Sequence, residues 1–79
     1  MTVVAVGPTG TPEAREALHA GAWALGAEPG DRVPVILAAE VVLMPGWQQC
    51  RAAVADVVTA MEMGIPVRAA EGASARLAA

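Results

Sequence analysis

The stretch Glu40-Val41-Val42-Leu43-Met44-Pro45-Gly46-Trp47 constrains the fold more than any other part of the chain. Val41 to Met44 run without a polar interruption, the pattern of a strand buried on both faces. Pro45-Gly46 ends the run, because proline has no amide to donate to a ladder and glycine accepts a sharp turn. Trp47 follows, and a helical pattern opens at Gln48. Buried strand, tight turn and helix N-terminus, in that order, form the unit from which open α/β sheets build ligand sites.

The rest of the chain supplies companions for that unit. Val3 to Val6 reads as a first β-branched strand that closes in Gly7-Pro8-Thr9-Gly10. Thr11 is a favourable N-cap, Pro12 suits the first helical position, and Glu13 and Glu16 complement the helix dipole. The helix is expected to reach Leu25 and stop at Gly26 in a left-handed cap. Ala14, Leu18, Gly21, Ala22 and Leu25 share one face of it, and Glu16, His19 and Trp23 the opposite one. A tryptophan among polar residues is either a singly exposed aromatic or a subunit contact.

Asp31 is read as the cap of a short helix through Ala39, with a strand over Arg32 to Leu37 as the competing reading. From Gln48 to Met63, Cys50, Ala53, Val54, Val57 and Met61 recur at helical spacing and are expected to face a sheet. Gly64 ends that helix, and Ile65-Pro66-Val67 forms a last short strand. Residues 68–79 are set apart as a tail, of which Glu71 to Ala79, rich in alanine and glycine, is expected either to fray or to pack on a partner. The whole is one domain, 1–79, a small three-layer α/β/α parallel sheet with the three strands side by side. The first and central strands end on the same sheet edge, where ligands bind in such sheets.

Composition narrows the function classes. Five arginines, no lysine and a net charge of −3 leave no basic stripe, which argues against nucleic acid as a partner. One cysteine and one histidine permit neither an internal disulfide nor a structural metal cage. No apolar run approaches the roughly 18 residues of a membrane span, and Met1-Thr2-Val3-Val4 lacks the features of a signal peptide. The expectation is a cytoplasmic protein with no membrane partner. A chain that is 56% hydrophobic yet so short has difficulty covering its own apolar surface, so a homo-oligomer is expected.

Val6-Gly7-Pro8 resembles the opening of nucleoside 2-deoxyribosyltransferase-like domains. Glu40 to Trp47, then Cys50, Arg51, Ala52-Ala53, Asp56 and Gly64-Ile65-Pro66-Val67, resemble the small, often phage-encoded branch of that superfamily. The match is loose over Val3–Pro8 and close over Leu37–Val67. The resemblance implies a truncated Rossmann-like or flavodoxin-like fold that binds a nucleoside or nucleotide; separately, no cofactor and no metal are expected. It places the family nucleophile, a glutamate that attacks the sugar anomeric carbon, on Asp56. It places the family serine and glycine near the helix start on Cys50 and Ala52. Any retained activity would be N-glycosidic bond cleavage or transfer. The shorter aspartate sets the carboxylate back by about 1.5 Å, and the Ala52 methyl narrows the approach to a ligand. The connection from Leu25 to Val41 is short for the family, which implies a missing strand or pocket wall and an open sheet edge.

The candidate site is therefore Asp56 as the catalytic position, with Gly7, Pro8, Pro45, Gly46, Trp47, Cys50 and Arg51 binding the ligand. Each has a structural counterpart: Asp56 as a solvated helix residue, Cys50 as a buried thiol on the apolar stripe, Trp47 as core. His19 has no triad or metal-ligand companion in its helix and reads as a surface residue. Two functions stay open, a nucleoside- or nucleotide-binding domain and a non-enzymatic oligomeric or partner-binding protein on the same scaffold.

Overall fold

The computed structural model describes residues 2–73. Four strands, β1 (Val3–Val6), β2 (Glu28–Pro29), β3 (Glu40–Leu43) and β4 (Val67–Ala69), pair in parallel in the order β2-β1-β3-β4. Helix α1 (Pro12–Leu25) lies on one face and α2 (Arg51–Glu62) on the other. Alternation along the strands sets the two faces. Val4, Val6, Val41 and Leu43 pack with Ala53, Val57 and Ala60 of α2, and Ala5 packs with Leu18 and Ala22 of α1. The result is a small α/β/α parallel sheet whose order is that of the first four strands of a flavodoxin-like domain.

Local chemistry accounts for the first helix. Thr11 Oγ1 accepts from the Ala14 amide at 3.1 Å, Pro12 opens the helix, and Gly26 closes it at φ 68°, its amide donating to the last turn. Leu25, expected on the inner face, is exposed, and Leu18 and Ala22 carry the packing.

The connection to β3 departs from expectation. Neither a helix from Asp31 to Ala39 nor a strand over Arg32 to Leu37 forms; a 3-10 helix at Val35–Leu37 is all that appears. The cause is β2, which the residue pattern did not announce. The Gly30 amide donates to Ala5 O at 2.8 Å and ties this segment to β1. A Cβ at Gly30 would lie 3.0 Å from that same oxygen, so the close approach depends on glycine. The amides of Arg32 and Val33 both turn back on Pro29 O. Few residues then remain to cross β1 to β3, and only Val35 is buried on the way. The short connection from Leu25 to Val41, read as lacking a strand or pocket wall, thus holds a two-residue strand that pairs with β1.

Pairing shifts the last strand as well. Ile65 still belongs to the helix exit, its amide bonding Ala60 O at 2.9 Å. Pro66 O accepts from Val41, and the ladder runs over Val67–Ala69 instead of Ile65–Val67. The Ala70 amide reaches Leu43 O and that of Ala73 reaches Ala70 O, so residues 68–73 belong to the sheet edge and a turn, not to a tail. Residues 74–79 lie outside the described residues. The second helix is divided, with a 3-10 helix at Trp47–Gln49 ahead of α2. Met61, expected to face the sheet, is exposed, and Ala60 takes that place.

Candidate functional site

The chain leaves β1 through α1 toward β2 and leaves β3 through α2 toward β4, so the connections diverge between β1 and β3. At such a switch point helices on opposite faces open a crevice at the carboxyl ends of the strands. Here the crevice has two adjoining parts. A cavity of about 130 Å³ is lined by Gly7, Thr9, Gly30, Asp31, Ala52 and Asp56, among others. A wider cleft of about 510 Å³ opens beside it between Pro8, Thr9, Thr11, Gln49, Cys50 and Arg51, with Gly46 on its wall. Thr9 and Ala52 border both.

Asp56 projects from the second turn of α2 into the smaller part. Partial burial alone raises its pKa above the ordinary 3.8, since removal from water disfavours the charged carboxylate. Asp31 lies on the same cavity, brought there by the crossover from β2. Its carboxylate is gripped by His19 Nε2, 2.9 Å from each oxygen. His19 thus has a partner after all, though from another element and not from its own helix.

Cys50 is the N-cap of α2, partly buried, and its Sγ lies 3.8 Å from Thr9 Oγ1. The sulfur completes no capping hydrogen bond. Even so, the amides of Ala53 and then Thr9 favour the thiolate and outweigh the opposing effect of burial, so the thiol pKa falls below 9.0. Gly46, at φ 84°, swings the chain from β3 into the 3-10 helix and sets these groups at the mouth of the cleft.

Two of the sequence candidates lie elsewhere. Trp47 is fully buried in the core between the sheet and α2, among Val6, Leu43 and Ala53, and lines neither part of the crevice. The Pro-Gly turn reverses the chain and drops the indole inward, beneath the site instead of into it. Pro45 lies on a separate apolar groove with Pro8, Leu18 and Met44. Conversely, Thr9, Thr11, Asp31 and Gln49 reach the crevice without having been singled out for it. Thr9 was within reach, because it follows Gly7-Pro8 at the end of a predicted strand.

No group of three or more metal-ligating side chains occurs among the described residues, and no helix among them is long and apolar enough to cross a membrane. Fold and crevice define a small open-sheet α/β domain with a cleft at the carboxyl edge of its sheet. No protein-family model, curated protein or solved structure matches the chain.

Proposed function

We propose that this protein binds a nucleoside at the carboxyl edge of its sheet, with turnover of the glycosidic bond absent or very slow. The observation that carries the reading is the joined crevice at the β1/β3 switch point, where a carboxylate cavity opens into a mainly apolar cleft with a few polar side chains at the start of α2. The wider part falls within the roughly 300–1,000 Å³ of small-ligand sites. The narrow part accommodates only a fragment of such a ligand. A sugar with hydroxyls directed at Asp31 and Asp56 matches it, because carboxylates accept hydrogen bonds from hydroxyls at a fixed distance. The base then lies toward Thr9, Gln49 and Cys50. Two carboxylates against Arg51 alone favour an uncharged nucleoside over its phosphate.

The resemblance to nucleoside 2-deoxyribosyltransferase-like domains supports the same ligand class, since its nucleophile position coincides with Asp56 on this cavity. The reach of Asp56 and the Ala52 methyl on the cavity wall argue against efficient attack on the anomeric carbon. A panel of nucleosides and nucleotides in thermal-shift measurements tests the proposal. At least one nucleoside should raise Tm, its monophosphate should do so less, and Gln49→Ala should diminish the rise. A panel in which no nucleoside moves Tm would overturn the reading. An oligomeric scaffold without a ligand is the second reading, favoured by Trp23, which stands 87% exposed on α1.

A further inference from the structure

Helix α2 is charged against its own dipole. It begins with Arg51 and ends with Glu62, with no acidic residue in its first turn and no basic one in its last. A helix N-terminus favours negative charge and a C-terminus positive charge. Among the described residues neither Arg51 nor Glu62 forms an ion pair. Among the described residues, this placement has no compensating ion pair.

The face that carries these charges is also unusual. At about 100° per residue, Arg51, Ala55, Val58 and Glu62 fall within about 60° of one another. They lie opposite Ala53, Val57 and Ala60, which meet the sheet. This outermost stripe should be polar. Instead its middle is Ala55 and Val58, both exposed, and Met61 beside it is 57% exposed. Ile36 and Leu37, on the 3-10 helix that packs against α2, are exposed as well. The intervals of four, three and four residues are those of a seam between paired helices.

We infer that this face of α2 is where two copies of the chain meet, the two α2 helices packing antiparallel about a two-fold axis. With that axis at the midpoint of the stripe, between positions 56 and 57, Arg51 faces Glu62 of the second copy. The same register sets Ala55 opposite Val58 of the second copy. One axis therefore satisfies both pairs, as a self-complementary interface requires. Alanine opposite valine lets the helices approach closely. Each Glu62 comes to the positive end of the other helix, where its charge is favourable. A single pair of three-turn helices with a little added apolar surface lies at the low end of specific interfaces, so the dimer dissociates in the micromolar range.

Sedimentation equilibrium on the ligand-free protein, from low micromolar to submillimolar concentration, tests this. The expected mass rises from one chain to two. Val58→Glu should leave a monomer with unchanged far-ultraviolet circular dichroism. Glu62→Arg should weaken association roughly tenfold, a loss of about 1.4 kcal/mol, and adding Arg51→Glu should restore it. Rescue by the double exchange cannot come from a folding defect, and mass is read independently of ligand binding. A monomer at every concentration would overturn the inference. So would a dimer that ignores the α2 exchanges but is lost in Trp23→Arg.

Discussion

Nε2 of His19 lies 2.9 Å from both carboxylate oxygens of Asp31, joining α1 to the loop that walls the Asp56 cavity. The contact crosses twelve residues of sequence and fixes an acceptor that the backbone of a short loop would leave free to swing. Both side chains are partly solvated, so the bond contributes little to global stability. Its effect is on position.

His19→Ala is accordingly expected to cost less than about 1 kcal/mol in denaturant unfolding. The same substitution should raise the nucleoside Kd roughly fivefold, about 1 kcal/mol, measured by calorimetry on the folded protein. An affinity equal to that of the wild type would remove Asp31 from the site.

Trp47 and Trp23 should behave as opposites. Trp47 is fully buried and joins the sheet to α2, whereas Trp23 is open to solvent. Trp47→Ala is expected to cost about 3–5 kcal/mol in unfolding free energy, with ligand affinity of the folded fraction unchanged. Trp23→Phe should leave a blue-shifted emission resistant to iodide quenching. Quenching of that remaining emission, or selective loss of binding in Trp47→Ala, would return Trp47 to the crevice.

What was legible in the residues follows the range of the forces involved. Thr11-Pro12 and Gly26 bound α1 through contacts within a turn or two, and both ends were readable. The unbroken Val41–Leu43 run announced a central strand because burial on both faces leaves a direct mark on composition. β2 left no such mark. Glu28-Pro29 has neither length nor alternation, and it is a strand only because β1 lies beside it. With β2 hidden, the position of Asp31 was hidden too. Asp56 and Cys50 were singled out through the family resemblance, and they reach one crevice because α2 and its N-cap carry both, whereas the inward turn of Trp47 depends on the packing of three elements.

Cys50 offers a reporter for occupancy of the cleft. Its thiol pKa lies below 9.0 through the amides of Ala53 and Thr9, so alkylation by iodoacetamide should rise with pH to a midpoint below that value. Unfolded protein should show the ordinary midpoint. Because the sulfur borders the wider cleft, a bound nucleoside should slow alkylation severalfold. A folded-state midpoint at or above 9.0 would contradict the assigned environment.

Asp56 is expected to make stability depend on pH in a definite sense. Burial raises its pKa in the folded state above 3.8, so the folded chain binds the proton more tightly than the unfolded one. Its contribution is fully present below 3.8 and is lost as pH rises through the raised folded value. At neutral pH, Asp56→Asn should therefore stabilise the protein by roughly 0.5 kcal/mol or less after solvent screening, about 2–4 °C in Tm. That gain should vanish as pH falls toward 3.8. A variant less stable than the wild type at pH 7 would mean that the carboxylate has a favourable partner.

The reach of the same residue decides the chemistry. Glycosidic exchange through a covalent intermediate needs a carboxylate oxygen to bond the anomeric carbon as the carbon–nitrogen bond breaks and the base departs. Asp56 starts from a rigid helix turn and is one methylene shorter than a glutamate at that position, and around 1 Å of misplacement can cost on the order of 10²-fold. Chromatography of deoxynucleoside incubations should therefore show little or no free base with the wild type. Asp56→Glu should raise the yield if reach alone is deficient, since the added methylene extends toward a cavity already bordered by Gly7, Thr9 and Asp31. It should leave the yield at background if the narrow cavity, about 130 Å³ with the Ala52 methyl on its wall, cannot hold the sugar in line. In that case Asp56→Glu combined with Ala52→Gly is the variant expected to gain turnover. Rapid release of base by the wild type, abolished in Asp56→Asn, would show that aspartate suffices and that the protein is an enzyme.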